Sequence, residues 1–456
     1  IWFNPQFLAR QVIPLFYRRF AFKVHVDLDK SVESKLQNDE IKPRHQPGAV
    51  KGGFVKPPSR IVKALLKSVG DYPAKALLKE GLELNQYISS RHPPEEKHKQ
   101  VQKLANIQAE VDAELDSLDI SVASEEQLNQ FQKKRDAKIK KVLKQRTYSW
   151  KPLTYARYEG LMYMVGRSSR EYAALLKIMR EIKQRSPTFK PRSYFDFGSG
   201  IGTGMWAASE LWRDNIFEYV NVDSSREMND LSALILQEGN ETAQPYLKNV
   251  FYRQFLPAAQ TSFDLVVSAY TLFELPSSKD RKEILLNLWK KCDGYLILVE
   301  EGTRQGFELI SEAREYLLNF EDEQLVGHVF APCPHDMECP RLKDSKHNIP
   351  CNFEAAFELF PFDGKQTTAR YSYVVLMKGK RENTDETHWP RIVRPTIVRS
   401  GHTICRFCTS SAKLQEVIFT VSKHGKWTYR CARSSRWGDR LPATLTEAEP
   451  SGKESE

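Results

Sequence analysis

A short apolar run, Ser193-Tyr194-Phe195-Asp196-Phe197, passes directly into Gly198-Ser199-Gly200-Ile201-Gly202-Thr203-Gly204 and then into the helix-forming stretch Met205 to Arg213. Glycines at alternate positions permit positive backbone dihedrals and let a ligand approach the main chain, while the following helix start offers free amide donors. The run therefore predicts a strand, a nucleoside- or phosphate-binding turn and a helix. Further strands are predicted at Glu218 to Val222, Phe251 to Phe255, Phe263 to Ala269 and Gly294 to Val299, with a helix over Lys279 to Lys290. Near-continuous apolar strands alternating with helices predict a parallel sheet covered on both faces, an α/β domain.

A dinucleotide-binding turn would read G-x-G-x-x-G, whereas this chain reads G-x-G-x-G behind an acidic residue. That pattern resembles motif I of class I S-adenosylmethionine-dependent methyltransferases. The resemblance implies a Rossmann-like domain that binds S-adenosylmethionine through Asp196, Gly198, Gly200 and Gly202. Asp223 closes the second predicted strand, where a carboxylate can accept hydrogen bonds from both ribose hydroxyls. An α/β domain that has lost its cofactor is the competing reading. Catalytic residues are not evident. Ser268-Ala269-Tyr270-Thr271 stands where amine methyltransferases carry Asn or Asp with two prolines and an aromatic, and no cysteine nucleophile lies between Asp264 and Lys291.

The chain of 456 residues has a net charge of +10 and 41% hydrophobic residues. It is long enough for more than one structural unit, its charge favours an anionic partner such as nucleic acid, and no apolar run reaches membrane-spanning length. A chain opening on Ile1 is expected to lack its native start. Ile1 to Val26 nevertheless carries Arg10, Arg18, Arg19 and Lys23 without an acid, beside apolar Leu8, Ile13, Leu15, Phe16 and Phe20. It resembles an amphipathic mitochondrial presequence, with an ordinary basic arm as the alternative. Asp27 to Pro58 reads as a linker. Glu95 to Arg146 reads as a helical arm whose end, Lys133 to Arg146, has eight basic residues against Asp136. That run is a phosphate-contacting surface or a solvated helix face.

Six of the seven cysteines lie in the last third of the chain. Cys333 and Cys339 sit in a proline-punctuated loop, Cys351 follows another proline, and Cys405-Arg406-Phe407-Cys408 forms a pair with a two-residue gap. Four thiols drawn from these segments suit zinc or a cubane iron–sulfur cluster, and His335, His347 and His402 are possible substitutes. Cys292 reads as a core thiol. From Arg391 to Arg440 eleven Lys or Arg face only Glu416 and Asp439, interleaved with Phe407, Phe419, Trp427, Tyr429 and Trp437. Cations with aromatic rings suit RNA, and Glu416 to Val421 and Lys426 to Arg430 read as strands of a small β unit.

Five segments together carry a more specific resemblance: Asp196-Phe197-Gly198-Ser199-Gly200, Ser268 through Pro276, Glu300-Glu301-Gly302-Thr303, Ala331-Pro332-Cys333-Pro334-His335 and Tyr429-Arg430-Cys431-Ala432-Arg433. From about Tyr148 to Pro442 the chain resembles a family of methyltransferase-like assembly factors of the small ribosomal subunit. The resemblance implies a mitochondrial matrix protein that binds S-adenosylmethionine, a 4Fe-4S cluster and small-subunit rRNA, and supports subunit maturation and mitochondrial translation. It implies Cys333, Cys339, Cys351 and Cys405 as cluster ligands. Cys408 competes with Cys405, Cys431 is left as a structural thiol, and the span from Cys339 to Cys351 is longer than expected of relatives.

The expected architecture is a targeting segment at 1–30, a linker and helical arm at 31–150, and a methyltransferase-like domain at 151–380 with a cysteine-rich insertion at 330–352. A basic cysteine-containing unit at 381–442 and a disordered tail at 443–456 complete it. The protein is expected to be a monomer outside the ribosomal complex, without a membrane span. An active rRNA (cytidine) methyltransferase and an iron–sulfur sensor of mitochondrial translation remain as alternative functions.

Overall fold

The computed structural model describes residues 24–50, 52–70, 72–115, 125–146, 150–259, 261–343 and 349–447. Most of the expected targeting segment lies outside them, as does His347. The chain opens with β1 (Val24–Leu28) and α1 (Lys30–Gln37), the latter capped by the Asp29 carboxylate, which accepts from the Ser31 and Val32 amides. Helices α2 (Ser59–Ser68) and α3 (Ala74–Ser89) follow, then the arm, α4 (Lys97–Leu115) and α5 (Glu125–Arg146), and the long α6 (Arg157–Arg185). The central domain runs β2 (Ser193–Phe197), α7 (Thr203–Trp212), β3 (Glu218–Val222), α8 (Arg226–Leu236), β4 (Val250–Arg253), β5 (Phe263–Ala269), α9 (Ser278–Lys290), β6 (Cys292–Glu301), α10 (Arg304–Leu318) and β7 (Gly327–Ala331). After the short α11 (Pro340–Lys343), β8 (Phe353–Glu358) and β9 (Gln366–Lys378) complete its sheet. The C-terminal unit contains α12 (Asp385–His388), β10 (Arg391–Ile392), β11 (Ile397–Val398), β12 (Thr403–Cys408), β13 (Leu414–Phe419), α13 (Val421–Ser434) and β14 (Ala443–Glu447).

The main sheet has the order β4-β3-β2-β5-β6-β9-β7. Strands β2 to β6 are parallel and β9 runs antiparallel between β6 and β7. Alternation along the strands feeds two cores: Leu265, Val267, Tyr295, Ile297 and Val299 face the side of α6 and α7, and Val266, Leu296 and Leu298 the side of α9 and α10. Order, direction and two-sided burial agree with the doubly wound α/β reading. Tyr371 pairs with Glu301 of β6 and with Phe353 of β8, so β8 lies on the same edge of β9 as β7. The cysteine-rich insertion leaves β7 and returns through β8 along that edge.

Three expectations fail here. The stretch from Asp27 to Pro58 is no free linker: β1 pairs with β14, Val26, Leu28, Val32 and Leu36 enter the core of the C-terminal unit, and Val55 bridges Phe357. The same pairing gives residues 443–447 of the expected disordered tail a strand; the remainder of that tail lies outside the described residues. Lys426 to Arg430 belongs to α13 rather than a strand. Thr428, Cys431 and Ala432 recur at helical spacing on its buried side, and Thr420 caps it by accepting from the Lys423 amide at 3.2 Å. The helix kinks at Gly425, whose φ of 76° is left-handed.

The arm is an antiparallel helical hairpin with its own small core of Ile107, Val111 and Ile139. Arg135 bonds Asp112 at 2.7 Å, Arg146 bonds Glu110 at 2.6 Å, and Lys138 pairs with Glu114. These pairs turn acids of α4 toward part of α5, leaving Lys133, Lys134, Lys140, Lys141 and Lys144 exposed on the remainder. Among the described residues no helix is long and apolar enough to cross a membrane.

A buried ion pair joins the central domain to the C-terminal unit. Glu181 of α6 accepts from both terminal nitrogens of Arg391 on β10, at 2.6 and 3.1 Å, and Arg391 also donates to the carbonyls of Pro332 at 2.8 Å and Gly438 at 2.7 Å. Arg391 and Arg185 hold the Glu181 carboxyl down at about 2 despite its burial. Arg391→Ala should cost about 3–5 kcal/mol by leaving the carboxylate buried without its main partner, a loss measurable by urea unfolding. The folded-state pKa lies below the ordinary 4.5, so the stabilisation is complete above that value and lost as pH falls toward 2. The difference between wild type and Arg391→Ala should therefore shrink with acidification across that window.

Candidate functional sites

The glycine turn lies at the carboxyl end of β2, flanked by the loops that leave β3 and β5, which is the crevice where doubly wound sheets bind ligands. Gly198, Gly200 and Gly202 all have positive φ, at 72°, 53° and 90°. A side chain at Gly198 would collide with Thr271, and a Cβ at Gly202 would stand 2.7 Å from Ser232 Oγ, so both positions require glycine. The Gly200 amide donates to Asp223 at 2.9 Å, and the Ser225 amide donates to the other carboxylate oxygen at 2.9 Å. Burial pushes the Asp223 carboxyl above its ordinary range against the pull of those two amides. The five residues expected to hold a nucleoside cofactor are thus grouped at the carboxyl ends of β2 and β3.

Asp196 is buried beneath the turn and accepts from Tyr194 Oη at 2.7 Å. Burial raises its carboxyl to about 7, with Asp223 and Glu171 adding to the rise. Among the described residues, Ser199 Oγ, Ser268 Oγ and Tyr270 Oη are buried without a hydrogen-bond partner. Tyr270 has a positive φ of 59°, uncommon for an aromatic, directly after β5. Unspent polar groups around a glycine turn suit a polar nucleoside. Behind them Glu301 takes Arg167 at 2.8 Å and Arg170 at 2.6 Å, while the Glu300 carboxyl, raised to about 8 by burial, accepts from the Leu272 amide. Sequence reasoning missed this charged network because its arginines come from α6, far from the turn in sequence.

The second site is a small cavity lined by Cys333, Cys339, Cys351 and Cys408, with Pro332, Pro340, Phe353 and Leu414 beside them. The expected fourth thiol, Cys405, does not reach it. Successive strand residues point to opposite faces, so two cysteines three apart on β12 must separate. Cys405 and Phe407 turn into the C-terminal core, where Cys405 Sγ lies 3.7 Å from the Ala432 carbonyl, and Cys408 turns to the cavity. The parity of Thr403–Cys408 is the signal that would have chosen Cys408. Cys431 shares the core with Cys405, and Cys292 is buried between β6 and its neighbours, its thiol pushed up by burial.

Arginines fix the loop carrying three of these thiols. Arg314 donates to the carbonyls of His335 at 3.1 Å and Met337 at 2.7 Å, Arg394 to that of Pro350 at 2.8 Å, and Arg391 to that of Pro332. Asp336 is held by Arg381 and by the Val329 amide, and Ser372 donates to the Cys351 carbonyl at 2.9 Å. Burial and the neighbouring Cys333 raise the Cys339 thiol to about 11, while burial lifts Cys408 further. His335, a possible substitute for a thiol, is buried with Nε2 3.4 Å from Cys408 Sγ. Among the described residues no group of three or more His, Cys, Asp or Glu side chains is arranged to hold a metal ion as they stand. Four thiols facing one cavity are the donor set that zinc or a cubane iron–sulfur cluster takes, and the surrounding guanidinium groups suit the negative charge of such a thiolate site.

Strand order and glycine turn define a class I S-adenosylmethionine-dependent methyltransferase fold. The chain matches the family described as mitochondrial small ribosomal subunit Rsm22 over residues 157–442, and it belongs to that family. It is 35% identical to the human ribosome assembly protein METTL17, mitochondrial, over 89% of this chain and 87% of that protein. The Rsm22-cox11 tandem protein 2 of Schizosaccharomyces pombe is 30% identical over 62% of this chain and 43% of its own length. The ribosome assembly protein RSM22 of Saccharomyces cerevisiae is 23% identical, over 59% of this chain and 64% of its own. Among solved structures, a SAM-dependent methyltransferase from Aquifex aeolicus aligns at a TM-score of 0.29 and 14% identity, over 49% of this chain and 99% of that one.

Asp196→Asn keeps an acceptor for Tyr194 and removes the buried acid. A folded-state pKa raised above the ordinary 3.8 makes wild-type stability fall as pH climbs from about 4 through about 7. The Asn variant should therefore gain on wild type between pH 5 and pH 8 in paired thermal melts.

Proposed function

We propose that the protein is an assembly factor of the mitochondrial small ribosomal subunit, acting in the matrix through a methyltransferase scaffold that binds rather than modifies rRNA. The observation that carries this reading is membership of the Rsm22 family, with relatives in human and yeast named as mitochondrial ribosome assembly proteins. The cationic segment from Ile1 to Val26 supports import into the organelle.

Asp196, Gly198, Gly200, Gly202 and Asp223 would hold S-adenosylmethionine, with Asp223 taking the ribose. When bound, that cofactor supplies an electrophilic methyl group. The chain's own groups at the turn bind and orient: amides and glycines accommodate the ligand, and Asp196 offers a buried carboxyl whose proton can be displaced by a cationic partner. Among the described residues no cysteine nucleophile lies beside the turn, and the raised carboxyls of Asp196 and Glu300 are buried within the fold. Tyr270 and Thr271 stand where a catalytic motif would be, and Glu274 is paired with Arg91. A cofactor-loaded binding protein therefore accounts for this site better than an rRNA methyltransferase.

Cys333, Cys339, Cys351 and Cys408 would hold a 4Fe-4S cluster, with Cys408 replacing the expected Cys405. Three ligands belong to the insertion of the methyltransferase domain and the fourth to β12, so the cluster would clamp the C-terminal unit onto the domain. This structural role is compatible with an iron–sulfur sensor, since loss of the cluster would loosen an RNA-binding surface. Anaerobically purified protein should contain roughly four iron and four acid-labile sulfide per chain. Cys408→Ala should lose them and Cys405→Ala should keep them; zinc, or retention of iron by Cys408→Ala, overturns the assignment.

Two basic surfaces support rRNA as the partner: the unpaired lysines of α5, and Lys423, Lys426, Arg430 and Arg433 on α13 beside Trp427 and Tyr429. Lys426 lies 4.6 Å from the Trp427 ring centroid. Replacing Lys133, Lys140, Lys141 and Lys144 with Ala should weaken binding to small-subunit rRNA and flatten its dependence on salt concentration, each lost phosphate contact lowering the slope by about 1. An unchanged slope in filter-binding titrations would remove the arm from the interface.

A further inference from the structure

The loops after β3 and β5 flank the glycine turn because β2 lies between those strands in the sheet. Residues 150–156, the segment entering α6, are fastened to both of them. Trp150 Nε1 donates to the Phe273 carbonyl at 2.9 Å, and the Leu153 amide donates to Glu274 Oε2 at 3.4 Å, both on the β5 side. At the other end Ser225 Oγ, on the β3 side, donates to the Tyr155 carbonyl at 2.9 Å, and the Tyr155 ring meets Tyr163 edge-on at 5.3 Å. A segment tied at 273–274 and again at 225 must cross the mouth of the crevice that holds Gly198, Gly200 and Asp223.

Arg91, just beyond α3, locks the arrangement. Its side chain is 1% exposed, it pairs with Glu274, and it donates to the Lys151 carbonyl at 2.9 Å. One guanidinium therefore joins the post-β5 loop to the segment that crosses it. A methyl acceptor of nucleobase size would have to enter where Trp150, Leu153 and Tyr155 stand, and Glu274 cannot face an acceptor while it is held by Arg91.

We propose that residues 150–156, pinned by Arg91 and Trp150, are a cover over the nucleoside crevice that excludes a methyl acceptor and holds S-adenosylmethionine beneath it. The inference rests on the cofactor reading above and goes beyond it in assigning the cover's residues and their effect. The cofactor would enter and leave only when the cover lifts, so it would exchange slowly and its methyl group would be withheld from RNA.

The test uses the full chain loaded with radiolabelled S-adenosylmethionine and chased with unlabelled ligand. Trp150→Phe, which removes the indole donor and keeps a smaller aromatic ring, and Arg91→Ala should release the label at least tenfold faster than wild type. Retention with equal release rates in all three overturns the cover and leaves the cofactor reading standing. Absence of binding in every form overturns both. Should Arg91→Ala fail to fold, hydrogen exchange on wild type decides instead. The amide of Leu153 should be protected and become more so on adding S-adenosylmethionine, whereas rapid exchange indifferent to ligand overturns the proposal.

Discussion

Burying a carboxylate and a guanidinium together is costly unless every charge and donor is answered, and the pair of Glu181 and Arg391 is answered from three directions. Glu181 belongs to α6, which lies along the main sheet. Arg391 belongs to the C-terminal unit, and its remaining donors are spent on Pro332, at the start of the cysteine loop, and on Gly438. Helix, loop and terminal unit are thereby fixed to one another at a single point. Arg391 also lines the cysteine cavity, so the position of Cys408 relative to the other three thiols depends on this contact.

The two candidate sites divide along the same lines. The nucleoside crevice is built at the carboxyl ends of parallel strands, where the fold supplies backbone amides and turns. The cysteine cavity is built at the antiparallel edge, where β7 and β8 share one side of β9 and, among the described residues, the chain between them forms no strand. Arginine donors to carbonyls replace regular hydrogen bonding there, giving an irregular loop a fixed shape. Both arrangements hold their candidate ligand groups in fixed positions, and preorganisation of that kind lowers the ordering cost of binding.

Much of the central domain was legible because its signals are local. The turn at Gly198 to Gly204 and the apolar strands from Phe263 and Gly294 carry their periods within a few residues. The cysteines of the loop were legible as a group for the same reason. What escaped were long-range facts. Lys426 to Arg430 has aromatic and β-branched residues that favour a strand, and the burial of Cys431 and Ala432 against the small sheet overrode that preference. Asp27 to Pro58 contains prolines and glycine typical of a linker, yet its apolar residues complete a core whose other half lies some four hundred residues away. Cys405 and Cys408 were not separable from their spacing alone, because a two-residue gap lets either sulfur face one ion unless the segment is a strand, as Thr403–Cys408 is.

The pairing of β1 with β14 has a consequence for the order in which the molecule can be finished. Val26 and Leu28 pack with Leu441 and Ala443, so the unit that presents Cys408 cannot close its interior until both ends of the described chain have met. The entropic toll of joining segments so distant rises only slowly with separation, so the union is permitted. A polypeptide lacking β1 or β14 would keep its glycine turn and three of its cavity thiols while losing the support of the fourth. The pairing of β1 with β14 is thus written into the architecture as a condition for assembling the cysteine cavity.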